Sequence, residues 1–421
     1  MDRGSARGQQ HTDRQLLDDV VNQALFGSAT ERAAARRSIR TQAADAGVWP
    51  ASIWSLYRAR AAGVIDGFTV PAMNVRGLSY DLIRAVIRAS QHHQVGAFII
   101  EIARSEISYT GQRPDDVVVA GLAAALRERY RGPLFFQGDH YQVNVAAGID
   151  EEIRRIESLI DESFLAGFYN LDIDASTTVD LTMADPAEQQ ARNVELTVHL
   201  TKYIRRYQPV KCTIGGEIGK IGGRVSRRDD LRAFMTGYRR TVALEEGISK
   251  VAVQTGTRHG GVPDRSGRPT AMTVDFTALA DLSRVARSEF GLAGVVQHGA
   301  STLPLELFGR FSDAGTAEIH LSTEFQNIIF DHPAFPAELR SAIDSYCFEQ
   351  FGQERVVGQT DAQFLYTQRK RAWGPFRQQL AKLPGPIKQA LGQALEAWVT
   401  SLFERLRVLD TRAVVDRYVT R

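Results

Sequence analysis

Histidines and carboxylates that could hold a metal ion are spread along the sequence, each just after a short apolar run. They are Asp139, His140, Asp174, Glu217, His259, His298 and His320. Three of them, His140, His259 and His298, have glycine or other small residues beside them, which let a substrate approach closely. Three neutral imidazoles with open coordination positions suit Zn²⁺, or another divalent metal, acting as a Lewis acid. We therefore predict a metal site with these three ligands.

Asp139 directly precedes one of the predicted ligands. A carboxylate close to a divalent cation stays ionised and can accept a proton from a substrate hydroxyl. Asp139 is therefore the candidate catalytic acid–base, and its alternative role is to orient a ligating histidine. Asp174 and Glu217 are candidates for alternate ligands or for residues that hold the ligands through hydrogen bonds.

Eight β-rich runs alternate with amphipathic helical patterns and would position these residues. The runs are Phe68–Val75, Ala97–Ile102, Pro133–Gln137, Gly167–Ile173, Lys211–Gly215, Val251–Thr255, Gly294–Gln297 and Thr316–Leu321. This alternation is typical of an α/β fold, the closed (β/α)8 TIM barrel, whose active sites lie at the carboxyl ends of the strands. An open doubly wound sheet is less favoured, because no GxGxxG motif follows the first run.

The segments on either side of this alternation have helical patterns. We expect a helical extension over residues 1–66, a barrel catalytic domain over 67–332 and a second helical extension over 333–421. A helix is predicted over Trp49–Ala61 in the first extension. In the second, an apolar stripe fits one face of a helix and is expected to pack into the core. The stripe consists of Leu391, Leu395, Trp398, Leu402 and Leu406.

The composition excludes several classes of protein. Fifty-one Lys and Arg residues balance 49 Asp and Glu residues, and no concentrated basic face indicates a nucleic-acid or membrane partner. Cys212 and Cys347 are the only cysteines, too few for a disulfide framework or a CxxC zinc site. Two isolated thiols favour the reducing cytoplasm as the compartment. No apolar run approaches the length of a membrane span.

Six segments, in this order along the chain, resemble the class II, metal-dependent fructose-bisphosphate and tagatose-bisphosphate aldolases. They are Val70–Val75, Gly138–His140, Asp174–Ser176, Gly216–Gly223, Thr255–Gly260 and Gln297–Ser301. The resemblance implies that His140, His259 and His298 are the metal ligands and that Asp139 acts on the C4 hydroxyl of a sugar. It implies substrate contacts from Asn74 and, at a phosphate-binding mouth, from Gly260, Gly299 and Ser301. Arg104 and His320 are further candidates for substrate contacts.

The activity implied by this resemblance is reversible retro-aldol cleavage of a ketose or ketose phosphate through a metal-stabilised enediolate. Two alternatives remain: an epimerase of such sugars that uses the same metal site, and a non-catalytic accessory subunit of a tagatose-bisphosphate aldolase. Assembly into a homodimer or homotetramer is also expected.

The chain departs from the family pattern in three places. In one of them, the family's His-Gly-Gly-Ser-Gly stretch has become His-Gly-Ala-Ser-Thr over residues 298–302, which narrows the conformational freedom of the loop. Glu318 and His320 replace a lysine and an asparagine of the phosphate site. Glu318 is expected to repel a phosphate there, so that the substrate carries one phosphate, none, or another acidic group instead. The loop after Gly223 lacks the glutamate that the family often uses for proton exchange, so the proton donor to the enediolate is unassigned.

Overall fold

Eight parallel strands form a closed barrel in the computed structural model, which describes residues 16–219, 223–257, 260–270 and 272–421. The strands are β2 (Val70–Asn74), β3 (Ile99–Ala103), β4 (Gly132–Gln142), β5 (Asn170–Asp174), β6 (Thr213–Glu217), β7 (Lys250–Val253), β8 (Val295–Gln297) and β9 (Glu318–Leu321). Each pairs with the next along the chain, and β9 pairs with β2 to complete the circle. The predicted (β/α)8 fold is confirmed, and each strand falls within or beside its predicted run.

Helices cover the outside of the barrel, so the strands are buried on both faces. They are α4 (Ser79–His92), α5 (Arg104–Thr110), α6 (Pro114–Arg127), α7 (Ile149–Ala166), α8 (Pro186–Tyr207), α9 (Arg228–Arg239), α10 (Phe276–Ser288), α11 (Gly309–Asp313) and α12 (Thr323–Phe330). In β3, Ile100 and Ile102 alternate with Glu101, whose side chain points into the barrel and contacts Gln137. Apolar side chains therefore face the helices, while polar ones enter the barrel.

The amino end of the barrel is closed by the segment that precedes β2. Residues 16–26 (α1) and Ala29–Asp45 (α2) are helical, and a ninth strand, β1 (Val48–Ala51), pairs with the start of β4. The helix predicted over Trp49–Ala61 is therefore wrong in its first residues. Pro50 explains the difference, because proline disfavours helical backbone in the residue before it and is tolerated at a sheet edge.

Helix α3 (Trp54–Ala61) follows β1 and lies across the floor of the barrel. The guanidinium of Arg60, which is almost completely buried, donates hydrogen bonds to the carbonyls of Phe68, Ala293 and Thr316 at the amino ends of strands. Since these backbone acceptors have no water to bond, the single arginine side chain satisfies several of them and fixes α3 in place.

The chain after the barrel forms a second helical extension. Its helices are α13 (Ala337–Phe351), α14 (Asp361–Gln368), α15 (Arg377–Ala381), α16 (Gly385–Arg405) and α17 (Arg412–Tyr418). Leu391, Leu395 and Leu402 of the predicted stripe are buried on α16, and Trp398 packs edge-on against Phe325. The stripe is thus core packing within this chain. No helix among the described residues combines the length and apolarity needed to cross a membrane.

One part of this extension, α14 and the 3₁₀ helix Arg369–Ala372, returns to the carboxyl end of the barrel. Trp373 follows it, is buried, and donates from Nε1 to Oε1 of Gln326 at 3.1 Å. A Cβ at Gly77 would lie 1.9 Å from the Trp373 ring, so the turn after β2 has room for glycine only. We call residues 361–373 the mouth segment, because it forms one wall of the barrel mouth.

Candidate metal and active site

The carboxyl ends of the strands bring most of the predicted site residues together. Asn74 ends β2, Asp139 and His140 lie in β4, Asp174 ends β5, Glu217 ends β6, His298 follows β8, and His320 lies in β9. All of these side chains are buried or nearly so. His259, the third predicted ligand, lies outside the described residues.

A bulge in β4 aims His140 into the site. The pairing of β4 with β5 shifts register between Gly138 and Tyr141, and His140 has a φ of +44°, a left-handed conformation that is uncommon for a residue with a side chain. Gly138 makes this possible, because a Cβ there would lie 2.4 Å from the ring of Tyr141. The result places Nδ1 of His140 3.0 Å from Glu217 Oε2 and 3.4 Å from Asp174 Oδ2.

Three imidazole rings meet at the centre of the mouth. His298 lies between the other two, with ring centroids 3.9 Å from His140 and 4.2 Å from His320. Ligand atoms of Asp139, His140 and His298 lie within 4.8 Å of one another, as do those of His140, Asp174 and Glu217. The first of these groups combines two nitrogen donors with a carboxylate.

Asp139 is fixed by contacts on both of its oxygens. Oδ1 lies 3.0 Å from Nδ1 of His320 and 3.5 Å from Nε2 of His140, while Oδ2 accepts a hydrogen bond of 3.1 Å from Nδ2 of Asn74. Burial opposes its ionisation, but the positive charges of His140 and His320 outweigh burial and hold the pKa of Asp139 well below its usual value. Asp139 is therefore a carboxylate at neutral pH.

The charges of this cluster fit a divalent cation. Burial and the neighbouring Asp174 raise the pKa of Glu217 to about 7, which reflects crowding of carboxylates. Burial lowers the pKa of His140, but Asp139 and Glu217 outweigh it and raise that pKa well above the usual value. Imidazole and carboxylate donors suit Zn²⁺ and related metals, and a cation among them would replace the proton on His140 and relieve the repulsion.

Below the mouth, the barrel contains a cluster of charged residues that sequence reasoning missed. Lys250, completely buried, forms ion pairs with Glu318 and with Asp172, the latter at 3.0 Å, and donates to Gln137 Oε1 at 2.8 Å. Tyr57 of α3 donates to Glu318 from below. The local signal for this cluster was a charged residue within three of the buried strands: Asp172, Lys250 and Glu318.

The expectation that Glu318 would repel a phosphate is wrong. Inward-pointing residues of a strand are two positions apart, so Glu318 lies one layer deeper than His320 and does not reach the mouth. Glu318 is completely buried, and its charge is balanced by Lys250. Its Oε1 lies 2.7 Å from Nε2 of His320. The carboxylate of Glu318 therefore influences the charges at the mouth through its contact with His320.

The remaining predicted residues line a cavity of about 490 Å³ at the mouth. Ser301 Oγ accepts hydrogen bonds from the backbone N–H groups of Ser322 and Thr323, and Gly260 and Gly299 adopt positive φ angles of 79° and 72°. Arg104 binds Glu152 and the carbonyl of Gln142, so its guanidinium is engaged with the rim. Their predicted contacts with a substrate remain predictions.

Three other residues of this cavity were not predicted. Glu106 accepts hydrogen bonds from Asn74 Nδ2 at 2.8 Å and from Arg76 Nε at 2.6 Å. Arg76 immediately follows the first predicted strand, and that position could have identified it. Lys370 belongs to the mouth segment, and no local pattern connects it to the barrel.

Comparison with known proteins agrees with this architecture. Residues 59–370 match the family described as fructose-bisphosphate aldolase class-II. The fold is similar to that of fructose-bisphosphate aldolase from Campylobacter jejuni, with a TM-score of 0.52 and 16% identity over 86% of this chain and 97% of that one. It is also similar to fructuronate-tagaturonate epimerase UxaE from Cohnella laeviribosi, with a TM-score of 0.59 and 13% identity over 81% and 82% of the two chains.

Removal of a candidate ligand tests the metal site. We expect His298→Ala to lose most metal binding, and Glu217→Gln to weaken it by about 10–100-fold, as is usual for residues that orient ligands. Competition with a chromophoric chelator for Zn²⁺ would measure both. His199→Ala is the matched control, because His199 is exposed and binds Glu157 on the surface. Wild-type affinity in His298→Ala would contradict the assignment.

The buried pair of Glu318 and Lys250 predicts a pH-dependent stability. Burial raises the pKa of Glu318, but Lys250 and His320 outweigh it and lower that pKa to about 2, below the usual value of 4.5. The ionised carboxylate therefore stabilises the fold above about pH 4.5, and this contribution is lost as the pH falls towards 2. Glu318→Gln should cost about 3–5 kcal/mol at neutral pH, because Lys250 loses its closest partner.

Urea unfolding of the metal-free protein between pH 7 and pH 3 would measure this difference. The gap between wild type and Glu318→Gln should narrow as the pH falls. Asp313→Asn, which removes an exposed pair with Arg407, should cost less than about 1 kcal/mol. A gap that stays constant with pH would show that the charge of Glu318 does not stabilise the barrel.

Proposed function

Because the chain belongs to the class II fructose-bisphosphate aldolase family, we propose that it is a metal-dependent carbon–carbon lyase that cleaves an open-chain ketose or ketose phosphate reversibly between C3 and C4. The observation that carries this proposal is the convergence of Asp139 with His140 and His298 at the barrel mouth. A base beside a group of metal donors is what retro-aldol chemistry requires.

His140 and His298 hold the metal in this proposal, together with His259 from the sequence. A bound divalent cation, for which we propose Zn²⁺, would polarise the ketose carbonyl and stabilise the negative charge that develops on its oxygen. Asp174 and Glu217 contact Nδ1 of His140 and orient its ring. Asn74, Arg104, Gly260, Gly299, Ser301 and His320 are the proposed substrate contacts.

Asp139 is the proposed acid–base. Its carboxylate accepts the proton of the C4 hydroxyl, the C3–C4 bond breaks as the C4 aldehyde forms, and the bonding electrons remain on the fragment that carries the former carbonyl. In the synthetic direction Asp139 returns the proton. Asn74 and His320 each hold one oxygen of the carboxylate, so that its orientation does not depend on the substrate.

The mouth segment favours a second candidate, epimerisation at C4. Tyr366 and Lys370 line the cavity, and Tyr366 Oη donates to the carbonyl of Gly260 at 2.9 Å. A cavity bounded by the mouth segment can retain the aldehyde fragment while that fragment rotates. The fragment then recombines with the other fragment through the opposite face of its carbonyl group. The accessory-subunit alternative is disfavoured, because Asp139, His140 and His298 are retained together.

We further propose that residues 67–332 form the catalytic domain, with no nucleic-acid or membrane partner, and that the enzyme is a cytoplasmic homodimer or homotetramer. Two buried free thiols, Cys212 and Cys347, support a reducing compartment.

Product analysis tests the activity. The metal-loaded protein is incubated with ketohexoses, ketohexuronates and their phosphates, and products are separated by chromatography with and without a reagent that traps aldehydes. Two three-carbon fragments support the lyase, whereas a single isomeric sugar supports the epimerase. Absence of any product from the metal-loaded protein with every sugar in the panel would overturn both.

Replacement of the base separates chemistry from metal binding. We expect Asp139→Asn to retain bound metal, because His140 and His298 remain, and to lose about 10²–10⁴-fold in kcat with the active sugar. The variant keeps the size of the side chain, and an oxygen to accept from Asn74. Turnover within a few-fold of wild type would remove Asp139 from the mechanism.

A further inference from the structure

Among the residues that the structure describes, four arginine and lysine side chains line the cavity at the barrel mouth, and three of them have carboxylate partners. Arg76 binds Glu106, Arg104 binds Glu152, and Arg155 binds Glu151. The side chain of the fourth, Lys370, forms no ion pair or hydrogen bond with any residue that the structure describes. Its charge is therefore available to a ligand.

The mouth segment holds Lys370 firmly against the barrel. Arg369, the preceding residue, binds Asp331 with both terminal nitrogens and donates to Asn327 Oδ1 at 2.7 Å. Trp373, three residues later, is buried and stacks on Phe330 with ring centroids 4.5 Å apart. Contacts on both sides of Lys370 thus keep its backbone at the cavity wall, so that its side chain can reach a ligand without movement of the main chain.

Arg76 also lines the cavity, and its side chain is held by hydrogen bonds. Its Nε donates to Glu106 Oε1 at 2.6 Å and its Nη2 donates to Ser322 Oγ at 2.8 Å, which leaves the side chain only 13% exposed. The protein atoms around Lys370 and the charge of Arg76 lower the pKa of its ammonium group, although the side chain reaches solvent. Arg76 and Lys370 thus line the same cavity, and the charge of one acts on the other.

We propose that Lys370 and Arg76 form a subsite for an anionic end group of the substrate, and that the protein acts on acidic open-chain sugars in preference to neutral ones. The inference rests on the proposed function for the reacting end of the sugar, which Asp139 and the metal ligands would hold. The anion is a terminal carboxylate or a terminal phosphate, since both present oxygens to two cations. A short chain of contacts, Asp139 to Asn74 to Glu106 to Arg76, places this subsite beside the base.

Steady-state kinetics of the metal-loaded full chain tests the subsite. A ketohexose, the corresponding ketohexuronate and the ketohexose 6-phosphate are compared in wild type, Lys370→Met, Lys370→Arg and Lys382→Met. We expect Lys370→Met to lower the ratio of kcat/KM for acidic over neutral sugar about tenfold, mainly through KM, and Lys370→Arg to restore most of it. Lys382→Met is the matched control, because Lys382 is an exposed lysine of the same extension and does not line this cavity. Its ratio should equal that of wild type.

Binding of D-gluconate and of inorganic phosphate, measured by calorimetry on the same proteins, gives a readout that does not depend on turnover. Weaker binding of gluconate in Lys370→Met identifies a carboxylate subsite, and weaker binding of phosphate identifies a phosphate subsite. Equal binding of both probes in Lys370→Met and wild type would overturn the proposal, as would failure of wild type to bind either. If no sugar is cleaved or epimerised but Lys370 still controls anion binding, the proposed function fails and the subsite remains.

Discussion

Charge buried inside the barrel has to be compensated by other buried charge, and this requirement links the floor of the barrel to its mouth. Lys250 balances Glu318, Glu318 contacts Nε2 of His320, and Nδ1 of that histidine contacts Asp139. If any one of these buried charges were left without a partner, the free energy of unfolding would fall by several kcal/mol. The charge state of Asp139 therefore depends, through His320, on Glu318 and Lys250, which lie below the mouth.

The same requirement accounts for the donor cluster around His140. Without a cation, this imidazole has to carry positive charge to satisfy Asp139, Asp174 and Glu217, and its pKa is raised accordingly. With a cation bound, the imidazole must be neutral to act as a ligand. The bulge at Gly138 and the left-handed backbone of His140 already point the imidazole towards Asp139 and His298, the other donors of the candidate site.

The sequence was sufficient to predict the barrel and much of the mouth, because strand ends in this fold share one rim. Asp139, His140 and His298 could be placed there from the runs that precede them. The strand β1 was missed because Trp49-Pro50 lies within a helical pattern, and Lys250 was missed because one buried charge leaves no periodicity. Glu318 was placed one layer too high, since sequence spacing gives the face of a strand but not the depth of each residue.

The position of Lys370 could not be predicted at all, because it depends on how a distant extension packs. Trp373 needs the space that Gly77 leaves, and Tyr366 needs the carbonyl of Gly260, and these contacts join parts of the chain that are far apart in sequence. Residues on the strands are tied into the buried charge network and can change only together. Lys370 has no ion-pair partner in the described part of the chain and lies outside that network. In the proposed subsite, a change at Lys370 would therefore alter recognition of the end of the substrate without removing a contact of Asp139.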